Sequence, residues 1–147
     1  MRRAAFLRGM HWIMAAAFAL SVVVQYNDPD PLPWMAIYGA ATVVAFWAAL
    51  RPRSYPWWVP AIVGAVATVW AARLVRQVTG RVWIPELFAS WEMKNARVEL
   101  EREIGGLLVV LGWMTITALA AFFRDRPVPM ADPELTRMGH GPRIRSR

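Results

Sequence analysis

The chain has 147 residues, of which 57% are hydrophobic and nine are tryptophan, and seventeen lysines and arginines against ten acids leave a formal charge of +7. Apolar bulk with a basic excess fits a membrane protein and not a soluble domain. With no cysteine there is no disulfide frame, thiol nucleophile or thiolate metal site, and because the arginines flank apolar runs instead of forming one basic face with interleaved aromatics, nucleic acid is not an expected partner.

Residues 6–25 are apolar apart from Arg8, His11 and a few small polar residues. Twenty residues rise about 30 Å as a helix, the thickness of a hydrocarbon core, so this is the first expected span. Arg2-Arg3 ahead of it resembles the basic start of a signal peptide, but the run is long for such a segment and a second helix follows at once, so a retained helix is expected. The link Gln25 to Tyr38 contains Asp28-Pro29 and Asp30-Pro31. An Asp before a Pro restarts a helix, the carboxylate capping free N–H groups and Pro taking the first helical position.

The second span is expected at 34–50, ended by Arg51-Pro52-Arg53, with Gly39 and several alanines giving it a smooth face for close helix contact. The third is expected at 57–78, with Gly64 and Thr68 as a small-xxx-small pair and Arg73 and Arg76 at its far end. Segment 81–103 follows, where Pro85-Glu86 can open a helix, and Leu87, Phe88 and Trp91 form the apolar stripe of a helix lying in the membrane interface. The fourth span is expected at 104–123; if this helix extends outward, Glu99 and Glu103 share one of its faces. The expected fold is therefore an all-α integral membrane protein: a four-helix transmembrane domain over 1–123, with a short interfacial helix before the fourth span. Residues 124–147 form a basic, Pro- and Arg-rich tail too poor in apolar residues to fold alone.

Orientation follows from the cations. The side bearing the termini carries eleven Lys or Arg and three acids, the other side six and seven. The positive-inside rule then puts both termini in the cytoplasm, with the protein in the inner (cytoplasmic) membrane. Trp12, Trp47, Trp57 and Trp58 mark the inner boundary, and Trp34, Trp83 and Trp91 the outer one. Trp70 and Trp113 lie deeper, and their indole N–H groups call for positions facing other helices.

A candidate site gathers at the outer end: Gln25, Asn27, Asp28, Asp30, Arg73, Arg76, Glu99, Arg102 and Glu103. Arg73 is sixteen residues past Trp57, about 24 Å of helical rise, so it must snorkel or pair. The bland reading is an internal salt bridge to Asp28 or Glu103 that orders the helices. The sharper one is a Ca²⁺ or Mg²⁺ site using Asp28, Asp30, Glu99, Glu103 and the Asn27 carbonyl. No cofactor is expected otherwise. His11 and His140 fall on the inner side and in the tail, away from the acids, and hydrolase and zinc-enzyme motifs are missing, so catalysis is not expected.

Gln25-Tyr26-Asn27-Asp28-Pro29-Asp30 followed by Trp34 and Tyr38, then Thr68-Val69-Trp70-Ala71 and Glu99…Arg102-Glu103-Ile104-Gly105-Gly106-Leu107, resembles the transmembrane protein 220 family over about Gly9 to Ala120. The Asn-Asp-Pro-Asp element carries most of the likeness. The resemblance implies a small protein of four membrane helices without an established activity; the basic tail and Arg73 depart from the family pattern. The function expected is a structural or accessory role in the lipid bilayer, associated with a larger membrane protein complex through helix faces. The alternatives are a small binder or carrier of a divalent cation or lipid using the outer cluster, and, third, a membrane enzyme of unknown chemistry.

Overall fold

A computed structural model describes residues 2–77 and 96–126, with backbone alone at 2, 3, 27, 96–99 and 101. Four helices order the chain: α1 (Arg2–Val24), α2 (Pro31–Leu50), α3 (Trp58–Val75) and α4 (Ala96–Asp125), with a 3₁₀ turn at Gln25–Asn27. The described residues contain no strand. All four helices are long and apolar enough to cross a membrane, over Ala4–Val24, Pro31–Leu50, Trp58–Val75 and Arg102–Asp125. The third ends three residues short of the sequence boundary, where Arg76 and Gln77 form a tighter closing turn, Gln77 N–H donating to the Leu74 carbonyl at 2.8 Å. The fourth starts well before residue 104: its thirty residues rise about 45 Å, more than a bilayer core, so 96–103 continue the spanning helix at its N-terminal end. The proposed interfacial helix from Pro85 and the tail beyond Arg126 lie outside the described residues.

Proline and its neighbours set the boundaries. Asp28 and Arg51 each precede a proline and leave the helical region, with φ/ψ of −79/146° and −130/69°, because Pro Cδ clashes with a helical residue before it. Pro31 opens α2, and Pro60 sits in the first turn of α3, where a missing N–H costs no hydrogen bond. Asp30 occupies the N-cap position of α2 without making a side-chain cap bond, which corrects the capping expectation. A cap accepts from the second or third helical N–H, and Pro33 has none to give.

Each helix buries a stripe of near-heptad spacing. On α2 it is Trp34, Ile37, Tyr38, Ala41, Val44, Ala45, Ala48 and Ala49; on α3 Pro60, Gly64, Ala67 and Ala71; on α4 Leu107, Val110, Met114, Thr117 and Ala121. Such spacing keeps one seam facing the neighbours along the full length of a helix. α1 packs along α2 and α3 along α4, while α2 also touches α3 and α4 and joins the two hairpins. Most buried side chains form one continuous core. At Gly64 the α3 backbone approaches α4 so closely that an added Cβ would stand 3.4 Å from Met114 Cβ, the close approach that small residues allow.

Four hydroxyl groups inside the spans are satisfied locally. Ser21, Thr42, Thr68 and Thr117 each donate to the carbonyl four residues earlier at 2.8–3.0 Å. The opposite faces expose Ile13, Leu20, Val43, Phe46, Ile62, Val69, Leu108 and Ile116. In water this belt would drive aggregation; in a bilayer it is the lipid-facing surface.

Candidate functional site

The nine residues of the outer cluster do fall at one end of the bundle, where α1 and α3 finish and α2 and α4 begin. Asp28 Oδ1 accepts the backbone N–H of Asp30 at 3.0 Å, a local turn bond, and Asp30 is exposed. Half-buried Gln25 starts the 3₁₀ turn and Asn27 ends it, its side chain outside the description like that of Glu99. Arg73, Arg76 and Arg102 are all exposed. Arg73 lines a surface groove with Pro33, Trp70 and Gln77, and among the described residues no ion pair joins it to Asp28. Half-buried Glu103 acts electrostatically on the Tyr38 hydroxyl and has an interaction of its own. Among the described residues no three His, Asp or Glu side chains come together as a metal site would require.

Aromatic packing is also present at this end. Trp34 of α2 stacks on Trp70 of α3 with ring centroids 4.4 Å apart, and on Tyr38 at 6.3 Å. An offset aromatic pair of this kind contributes about 0.5–1.5 kcal/mol beyond area burial. The Tyr38 hydroxyl fills the place where a Cβ on Gly106 would stand. Trp70 thus faces its neighbours, as expected of a deep tryptophan, whereas Trp34 is 5% exposed and is a core residue instead of a belt residue.

The opposite end is more polar inside than the sequence reading allowed. Arg8 Nε donates to the Ala49 carbonyl at 3.0 Å, reaching an orphan acceptor in the last turn of α2. Arg124, at the foot of α4, donates to the carbonyls of Pro52 and Tyr55, pairs with Asp125 at 2.7 Å and lies over the Tyr55 ring. One guanidinium therefore clamps the α2–α3 connection. Tyr55 is buried against Ala48 and Ala121. His11, read from the sequence as an inner-side residue, is 4% exposed; its ring meets Trp113 edge-on at 5.1 Å, and neither His11 Nδ1 nor Trp113 Nε1 has a hydrogen-bond partner among the described residues. The signal for this was in the sequence: Ala4, Leu7, Arg8, His11, Ala15 and Phe18 are one helical stripe, so the core-facing seam of α1 opens with polar residues.

A model of the family described as transmembrane family 220, helix, matches residues 17–119. The chain belongs to that family. Transmembrane protein 220 of Xenopus laevis is 30% identical over 109 residues, which make up 72% of this chain and 55% of the relative. The chain thus spans about half the length of the curated relative it matches. No solved structure matches it. Within the transmembrane 220 match lie the Asn27-Asp28-Pro29-Asp30 turn, the Trp34–Trp70 stack and Gly106 beneath Tyr38. The α2–α3 connection at the basic end also lies inside it, while Arg8, His11 and Arg124 lie outside.

Proposed function

We propose that this family member is a non-catalytic, structural or accessory protein of the cytoplasmic membrane, with both termini in the cytoplasm, that binds a transmembrane helix of a larger membrane complex. The observation that carries this reading is a lipid-facing groove of about 450 Å³ between α3 and α4, lined by Ala61, Gly64, Ala65, Thr68, Thr115 and Ala118 among others. Small side chains along a groove let a second backbone come close, which is how helices associate where lipid removes the hydrophobic drive. Orientation rests on the cation count, and the non-catalytic part on the missing motifs. The cation-carrier alternative would use Asp28, Asp30, Glu99 and Glu103; its readout is a thermal shift on adding Ca²⁺ or Mg²⁺.

Gentle solubilisation followed by native mass spectrometry tests the accessory role. The wild type is expected to carry a partner protein. Ala65→Leu, on an exposed position of the groove, is expected to lose that partner with little change in melting temperature. Wild-type protein recovered only as a bare monomer would remove the reading.

A further inference from the structure

At the basic end a cavity of about 610 Å³ opens between the start of α1, the α2–α3 connection and the last turns of α4. Arg8, Arg51, Arg53 and Arg124 line it, with His11 one turn further along α1 than Arg8. Asp125 is the one carboxylate at this end among the described residues, and it is held by Arg124. Arg8 commits only its Nε, and no ion pair among the described residues engages Arg51 or Arg53. Among the described residues three cations thus remain uncompensated around one concavity. Beside them is a buried imidazole whose Nδ1 has no partner, although buried polar atoms are nearly always satisfied.

We propose that this cavity binds the phosphate group of an anionic membrane lipid. Guanidinium forks match the oxygens of a phosphate, which can accept from several donors at once, and a protonated His11 Nδ1 would supply one more donor from the cavity wall. The described lining carries no carboxylate, so it disfavours metal cations. The remaining wall, Ala4, Leu7 and Ala120, is apolar and lies at the ends of membrane spans, so it suits the glycerol and upper acyl part of an amphiphile. Basic pockets between membrane helices on the cytoplasmic side recognise anionic head groups in this way. Arg124 is a positioning residue here: it holds the Pro52–Tyr55 connection that presents Arg51 and Arg53. The site is separate from the α3–α4 groove and does not depend on the accessory reading.

The test uses the delipidated full chain in detergent, titrated with phosphatidylglycerol, phosphatidylcholine or inorganic phosphate and followed by native mass spectrometry and thermal shift. Phosphatidylglycerol is expected to bind at least about tenfold more tightly than phosphatidylcholine. Arg51→Gln with Arg53→Gln, both exposed positions, is expected to weaken it about 25-fold, or roughly fivefold per arginine at about 1 kcal/mol each. Arg126→Gln removes a cation at the same end but off the cavity lining, and Arg73→Gln with Arg76→Gln removes two at the other end; neither is expected to matter. If inorganic phosphate binds as well as the lipid, with the same dependence on Arg51 and Arg53, the phosphate site stands and its source is a soluble ligand. Equal binding of both lipids without phosphate binding, no effect of the Arg51/Arg53 pair, or an equal loss in Arg126→Gln would overturn the proposal.

Discussion

Adjacent glycines on α4 offer a matched pair of substitutions with opposite expected signs. A Cβ on Gly105 meets nothing within 4 Å, while one on Gly106 would fall on the Tyr38 hydroxyl and lie 3.3 Å from the ring Cζ. Gly→Ala in a helix interior gains about 1 kcal/mol of propensity, so Gly105→Ala is expected to stabilise by up to that amount. At Gly106 the same gain is opposed by overpacking, up to about 3 kcal/mol when the neighbour is seated in a buried core. Tyr38 is 7% exposed and can tip only by pressing on Trp34, so the net is a loss of about 2 kcal/mol. Tyr38→Phe removes the overlapping oxygen but leaves the tight ring contact, so it is expected to recover about half of the Gly106→Ala loss. Unfolding in mixed detergent micelles, followed by tryptophan fluorescence, measures all five species: the wild type, the three single variants and the double variant. Equal stability of Gly105→Ala and Gly106→Ala, or no coupling between Gly106→Ala and Tyr38→Phe, would refute the seating of Tyr38 over Gly106.

Three further expectations concern the two ends. Arg124→Gln gives up two guanidinium bonds to backbone carbonyls and the pairing with Asp125; with its side chain a quarter exposed, the cost expected in chemical denaturation is about 2 kcal/mol. Asp28→Ala, losing the bond to the Asp30 N–H, is expected to cost about 0.5–1 kcal/mol, whereas Asp30→Ala stays within about 0.5 kcal/mol because no cap bond exists; the reverse order of melting temperatures would restore Asp30 as the cap. Burial pushes the Tyr55 hydroxyl above its usual range, opposed by the Arg124 guanidinium and helped by the Asp125 carboxylate. A group whose folded-state value is raised contributes stability that is complete below its unfolded value, about 10, and is lost as pH rises through the folded one. Melting temperature is therefore expected to fall above about pH 10, and Tyr55→Phe to make that alkaline limb shallower.

Local rules placed the helices because lipid leaves few options. A run of twenty apolar residues in a bilayer must satisfy its own backbone, and prolines at 29, 31, 33, 52 and 56 punctuate the runs. Four spans, the turn at Asp28-Pro29 and the gathering of polar residues at one end were thus readable from the order of residues, as was the family. Which polar atoms touch was not. Asp28, Asp30 and Arg73 share an end, yet Asp28 bonds its own turn and Arg73 points into a surface groove with Trp70. Charge counting has no information on the rotation of one helix against another, and that rotation, set by side-chain fit at positions such as Gly64, Gly106 and Trp34, selects the contacts.

The sequence by itself determined the number of spans, the basic asymmetry of the two ends and the proline-marked turns between the first three helices, since hydropathy, charge and proline act through nearest neighbours along the chain. Only the tertiary structure decided that Arg8, His11, Arg51, Arg53 and Arg124 surround one cavity. These residues lie on three elements separated by dozens of positions, and an imidazole becomes an unsatisfied buried group only when another helix covers it.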